Sequence, residues 1–123
     1  MNQALLYTAS AMTGLWGAAH LFATRGVVAG FGEITTDNRR IITMEWIVEG
    51  IALISTAAFV AAATAVQAET PVSSAVYAVA AGTLVVLAVV SLLTGFKVAF
   101  LPFRLCPFIF GVSAGLIVWG AWL

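Results

Sequence analysis

Three ionisable side chains stand out because each lies inside a stretch that is otherwise almost wholly apolar. They are His20, which is the only histidine, and the two acids Glu45 and Glu49. A spacing of four residues places both carboxylates on one face of a helix. Two carboxylates one turn apart in a low dielectric repel each other, and a histidine beside them would complete an acid/base set. The sequence therefore predicts a site that can donate a proton to a bound molecule or accept one from it.

Aromatic and hydroxyl side chains recur at helical spacing around these three residues. Thr13 and Trp16 share a stripe with His20 in the first apolar stretch, and Thr56 shares one with Glu49 in the second. The predicted catalytic residues are Glu49, His20 and Glu45. The predicted ligand-binding residues are Trp16, Trp46, Thr13 and Thr56.

Each of these residues also has a plainer interpretation. Glu45 could form a structural ion pair with Arg25 or Arg40 at the membrane interface. Glu49 could be a protonated packing group that is hydrogen-bonded to a neighbour, and His20 could be a structural histidine whose nitrogens are both bonded. The tryptophans could serve as packing groups or interfacial anchors.

The amino-acid composition indicates the environment that surrounds any such site. The chain has 123 residues, of which 63% are hydrophobic and 8% are charged. Soluble domains carry about 25% charged residues, so this chain is predicted to be an integral membrane protein. Its zero net charge and its lack of a basic cluster argue against a nucleic-acid partner.

Metal and thiol chemistry have little support in the sequence. Cys106 is the only cysteine, so neither an intramolecular disulfide nor a thiolate zinc site can form within the chain. One histidine and two carboxylates are few ligands, and the Glu-x-x-His pairs of di-iron helix bundles are absent. We therefore predict no metal and no other cofactor.

Four apolar stretches are long enough to cross a bilayer, which needs about 20 residues of helix. They run over about residues 3–23, 41–66, 72–95 and 105–123. Pro71 and Pro107 suit the first turns of the third and fourth helices, where a missing N–H is harmless. The predicted fold is an all-α integral membrane four-helix bundle, formed by a single transmembrane domain over residues 1–123.

The basic residues predict the orientation of this domain. Three lie in the first connection and two in the third: Arg25, Arg39 and Arg40, then Lys97 and Arg104. The second connection and both termini carry none. The positive-inside rule places the first and third connections in the cytoplasm, so both termini are predicted on the non-cytoplasmic side.

The fourth apolar stretch contains Gly111 and Gly115 in a GxxxG arrangement. Such spacing lets helix backbones approach closely, either within a bundle or between copies of a chain. It predicts a homo-oligomer that forms through the fourth helix.

Two stretches resemble the DoxX-like group of small bacterial four-helix membrane proteins. They are GLWGAAHLF at residues 14–22 and EWIVEGIAL at residues 45–53. The resemblance implies a multi-pass protein of the bacterial inner membrane, and for some members an association with quinone or sulfur redox complexes. Members commonly carry a lysine late in the first helix, where this chain has His20, and the resemblance assigns no catalytic residue.

Three functions are compatible with these features. The first is a membrane-embedded His/Glu/Glu site that binds a lipophilic small molecule and catalyses an acid/base reaction such as isomerisation or ring opening. The second is proton-coupled transport, in which a membrane carboxylate binds either a proton or a cation. The third is an accessory subunit of a membrane redox complex. Small multidrug transporters have a similar size, but their key glutamate lies in helix one, which holds no acid here.

Overall fold

A computed structural model describes all residues 1–123, and it is helical throughout, without strands. The all-α prediction is therefore confirmed. The elements are α1 (Gln3–Gly30), α2 (Thr36–Gln67), α3 (Pro71–Leu93), a 3₁₀ turn (Gly95–Lys97) and α4 (Leu101–Trp122).

Side-chain caps begin three of the four α-helices. Asn2 accepts a hydrogen bond from the backbone N–H of Ala4 at the start of α1, and Thr35 accepts one from Asn38 at the start of α2. Thr70 caps α3 in the same way, and Pro71 occupies its first turn as predicted. These caps satisfy backbone donors that have no partner inside their own helix.

The first connection is much shorter than the sequence predicts. The first helix was expected to end near residue 23, but α1 continues to Gly30. The hydroxyl of Thr24 donates to the carbonyl oxygen of His20 at 2.7 Å, so this polar side chain is bonded within the helix. Because α2 begins at Thr36 rather than near residue 41, only residues 31–35 connect the two helices, and Gly32 supplies a positive φ of 72°.

The start of α4 also differs from the prediction. Pro107 was expected in the first turn, but α4 begins at Leu101 and has Pro102 there instead. Pro107 lies inside the helix, where its missing N–H leaves the carbonyl of Phe103 without its usual helical donor. Two prolines five residues apart both fit a helix start, and local sequence does not distinguish them.

Three helical segments are long and apolar enough to cross a membrane: α2, α3 with its following 3₁₀ turn, and α4. This indicates a membrane protein. The 28-residue helix α1 is not among the three. Polar side chains lower its mean hydropathy, yet four of them are buried against the other helices: Ser10, Thr13, His20 and Thr24.

Contacts between the helices form a ring, in which α1 packs on α2 and α4, and α3 packs on α4 and α2. The α1–α2 pair crosses at Gly17 and Gly50. A Cβ added to Gly17 would lie 2.7 Å from the carbonyl oxygen of Gly50, closer than real Cβ atoms come to such an oxygen. Backbone contact at this crossing therefore sets the distance between His20, one turn along α1, and Glu49, the residue before Gly50.

Candidate functional site

His20 is the centre of the site and is 5% exposed. Its Nδ1 lies 2.8 Å from the carbonyl oxygen of Trp16, one turn earlier in α1. A carbonyl oxygen can only accept a hydrogen bond, so Nδ1 must carry a hydrogen. The second ring nitrogen, Nε2, is the one available for proton exchange.

Glu49 faces this second nitrogen from α2. Its Oε1 lies 3.5 Å from Nε2 of His20, and its side chain is 43% exposed. That separation exceeds the 2.7–3.2 Å of a good N–H···O hydrogen bond. A proton held by the pair can reside on either Nε2 or the carboxylate. The pair can therefore present one donor and one acceptor to a third group.

Aromatic rings surround the imidazole. The Trp46 ring stacks on His20 with ring centroids 4.9 Å apart, and the Trp16 ring meets it edge-on at 5.9 Å. Phe103 packs edge-on against Trp46 at 5.6 Å and completes the wall from the start of α4. The sequence did not predict Phe103 as a site residue, because no spacing pattern links it with His20 or Glu49.

A cavity of about 380 Å³ lies beside the His20–Glu49 pair, between α2, α3 and α4. Its walls are aromatic and aliphatic except for a few polar groups, and no lysine or arginine lines it. The lining residues that bear on its chemistry are His20, Glu49, Trp46, Ser91, Thr94, Phe103 and Cys106.

The hydroxyls of Ser91 and Thr94 reach this cavity from the end of α3. Ser91 donates to the carbonyl oxygen of Leu87 and Thr94 to that of Val90, each at 2.7 Å. Because each hydroxyl hydrogen is already used, both oxygens can only accept from a bound molecule. Neither residue was predicted, since isolated hydroxyls near a helix end are common and carry no pattern.

Four predicted site residues do not line this cavity: Trp16 packs against His20, and Glu45, Thr56 and Thr13 lie apart from the site. Glu45 is exposed and forms no ion pair, since Arg40 pairs with Asp37 at 3.8 Å and Arg25 pairs with nothing. Thr56 donates to the carbonyl oxygen of its own helix at Ala52. It borders a separate groove of about 410 Å³ between α2 and α3.

Thr13 lies about two turns before His20 on α1. It is 1% exposed, and its hydroxyl has no hydrogen-bond partner.

Cys106 lines the cavity, and its thiol donates to the carbonyl oxygen of Pro102 at 3.6 Å. The indole nitrogen of Trp16 is also buried without a partner. Two of the three buried polar atoms without a partner therefore lie on α1, and the third is the hydroxyl of Ser113 on α4.

The GxxxG residues of α4 face away from the other helices. A Cβ added to Gly111 or Gly115 would meet no atom within 4 Å, and both residues are exposed. Close packing within this chain therefore does not use these glycines. Association of two copies through this face stays a prediction.

Comparison with known protein families, with curated proteins and with solved structures found no match for this chain. The geometry of the site therefore carries the functional argument.

Proposed function

We propose that this chain is a small integral membrane protein that binds a lipophilic molecule beside His20 and Glu49 and exchanges a proton with it. One observation carries the proposal. The imidazole is fixed through Nδ1 to Trp16, while Nε2 and the Glu49 carboxylate stand 3.5 Å apart at the wall of a cavity. A third polar group placed against this gap would complete the hydrogen bonding of both side chains.

A purely structural histidine accounts for less of this geometry. Buried polar atoms are nearly always paired, and Nε2 has no partner at good hydrogen-bonding distance. The adjoining space of about 380 Å³ falls within the 300–1,000 Å³ typical of small-molecule sites. Its mixture of apolar walls and a few convergent polar groups is also typical of such sites.

The proposal includes a position in the membrane. The basic residues lie in the helix ends that flank the first connection (Arg25, Arg39, Arg40) and in or beside the third connection (Lys97, Arg104). They favour the cytoplasmic side for both connections, with α1 as a fourth span and both termini outside. A bacterial inner membrane is consistent with the DoxX-like resemblance. In this orientation the site lies about 15 Å below the cytoplasmic end of α1, since ten residues separate His20 from Gly30, and a lipophilic molecule could enter it laterally from the inner leaflet.

The chemistry proposed for the pair is general acid/base catalysis without a cofactor. One member donates a proton to the bound molecule while the other accepts one from it, as an isomerisation or the opening of a strained ring requires. The walls of the cavity are mostly apolar, and a low local dielectric strengthens hydrogen bonds to the reacting group.

The test is whether a lipophilic molecule copurifies with the protein through these two residues. Wild-type protein, Glu49→Gln and His20→Ala would be purified in mild detergent, extracted, and compared by mass spectrometry. Glu45→Gln is the matched control, since it makes the same change one turn away on an exposed side chain. We expect the same lipophilic molecule in the extracts of wild type and Glu45→Gln. We expect it to be absent from the extracts of Glu49→Gln and His20→Ala. Equal recovery from all four folded proteins would refute the proposal.

Proton-coupled transport is a second candidate, and one observation favours it. The buried face of α1 continues from His20 through Thr13 to Ser10, so polar groups extend toward the opposite end of the helices. Proteoliposomes with an imposed pH gradient would test this candidate. Transport predicts proton-driven flux of a lipophilic cation that Thr13→Val reduces, and no flux across a panel of such cations would exclude it.

A further inference from the structure

We propose that the molecule bound at this site is a long-chain alcohol. Its apolar chain lies in a groove along the second half of α1, and its hydroxyl reaches His20 and Glu49. This inference rests on the proposed function and adds the class of ligand. It follows from the shape and the charge of the space that adjoins the polar cavity.

The groove has a volume of about 720 Å³ and lies between the second half of α1 and the segment that leads into α4. Small residues on one face of α1 form its floor, and a Cβ added to Gly26 or Gly30 would meet no atom within 4 Å. Val98 and Phe100 line the opposite side. Every residue that borders the groove is apolar or glycine, which suits a hydrocarbon chain.

A smaller space of about 210 Å³ neighbours both the groove and the site, since His20 and Ala23 both border it. Ala23 also borders the groove, and His20 also borders the polar cavity. Phe103 borders the groove, this smaller space and the polar cavity. From His20 to Gly30 the helix rises about 15 Å, so an extended chain could lie along α1 with its polar end at the imidazole.

The charges around these three neighbouring spaces disfavour an anionic ligand. No lysine or arginine borders any of them, and the only acid is Glu49. A carboxylate or phosphate placed at the site would face another carboxylate without a cation to compensate for its lost hydration. Fatty acids and phospholipids are therefore poor occupants.

The available hydrogen-bonding groups favour a hydroxyl. The oxygens of Ser91 and Thr94 have already donated their hydrogens and can only accept. Nε2 and the Glu49 carboxylate offer one acceptor and one site for a shared proton. A hydroxyl both donates and accepts, so it can complete this set without adding charge.

The experiment uses brominated probes, because bromine quenches tryptophan fluorescence at short range. The chain has four tryptophans, and a Trp119→Phe/Trp122→Phe background leaves Trp16 and Trp46 at the polar end of the site. A Phe31→Trp substitution in this background adds a tryptophan at the other end of the groove, where the terminal bromine of an extended chain would lie. The protein in nanodiscs would be titrated with ω-bromodecanol, ω-bromodecanoate, ω-bromodecylamine and the short alcohol tribromoethanol. We expect saturable quenching by the long alcohol, with the carboxylate at least about tenfold weaker, a difference of about 1.4 kcal/mol.

Filling the groove tests the position of the chain. We expect Gly26→Leu to weaken the long alcohol about tenfold and to leave the short alcohol unchanged. Gly82→Leu is the matched control, because Gly82 also has open space around it but lies on α3 outside the groove. Ala23→Leu is a second way to fill the groove if Gly26→Leu does not fold.

The outcomes separate this inference from the proposed function. If Glu49→Gln abolishes quenching but Gly26→Leu and Ala23→Leu have no effect, the ligand class is wrong and the site stands. If Glu49→Gln also has no effect, both proposals fail. Equal quenching by the alcohol, the amine, the carboxylate and a brominated phospholipid would show ordinary lipid in the groove, and would overturn the inference.

Discussion

Two buried polar clusters lie at opposite ends of the helices, and they differ in how completely their atoms are bonded. Near the connection of α2 and α3, Tyr77 is fully buried and its hydroxyl lies 3.0 Å from that of Thr64. Thr64 donates its hydrogen to the carbonyl oxygen of Val60 at 2.7 Å, so the tyrosine hydroxyl donates to Thr64. Each polar side chain in this cluster has a partner.

His20, in the cluster at the other end, is buried to a similar degree, but the hydrogen bonding of this cluster is incomplete. Nε2 of His20 has only the Glu49 carboxylate, at 3.5 Å, and the indole nitrogen of Trp16 has no partner. A cavity adjoins the His20–Glu49 pair, whereas Tyr77 borders no groove or cavity described above. Burial alone therefore does not identify a functional site. A cluster whose polar atoms are all hydrogen-bonded stabilises the fold. A cluster with unpaired polar atoms beside a cavity can bind a ligand.

The largest effect is expected from Gly17→Ala, which disrupts the α1–α2 crossing that positions His20 beside Glu49. The added Cβ would contact the Gly50 backbone, and relieving that contact should lower the free energy of unfolding by about 1–3 kcal/mol. It should also separate His20 from Glu49 and weaken probe binding. Unfolding followed by circular dichroism in detergent measures the first effect. Gly82→Ala, at an open position, is the control, and equal stability of the two variants would contradict the account.

An intermediate effect is expected from Tyr77→Phe, which removes one hydrogen bond from the cluster at Tyr77 and Thr64. The free energy of unfolding should fall by about 1 kcal/mol, because the buried Thr64 oxygen loses a donor. Binding of the brominated alcohol should be unchanged. Glu49→Gln should show the opposite pattern, with binding lost and stability nearly unchanged. If both variants lowered only stability, or both lowered only binding, the distinction between the two clusters would be wrong.

The smallest effect is expected from Glu45→Gln. The side chain is exposed and has no ionic partner, so its replacement should change the free energy of unfolding by less than about 0.5 kcal/mol. Probe affinity should also stay within the error of the titration. A large loss of affinity in this variant would restore Glu45 to the site and require a different arrangement of the bound molecule.

Local pattern accounts for much of the fold. Four long apolar stretches predicted the helices, and Pro71 marked the start of α3 correctly because proline is favoured in a first helical turn. The placement of ionisable residues inside apolar stretches also predicted that His20 and Glu49 belong to one site. The structure brings their side chains together and places Trp16 and Trp46 against the imidazole.

Tertiary contacts decide the remainder. Glu45 and Glu49 share a helix face, and only the crossing at Gly17 and Gly50 determines which of them meets His20. The cavity walls from α3 and α4 arise from the packing of distant segments. The length of α1 was underestimated because its polar residues suggested an aqueous connection, whereas those that face the other helices are buried.

The most direct test of the central claim is the ¹⁵N NMR spectrum of the histidine side chain. Because His20 is the only histidine, its two ring nitrogens give one unambiguous pair of signals. The account predicts that Nδ1 stays protonated, held by the Trp16 carbonyl, and that only the Nε2 signal shifts when ω-bromodecanol is added. It further predicts that Glu49→Gln abolishes the shift. An unprotonated Nδ1 would contradict the assignment of this pair as the binding site. So would an Nε2 signal that changes neither when the probe is added nor when Glu49 is substituted.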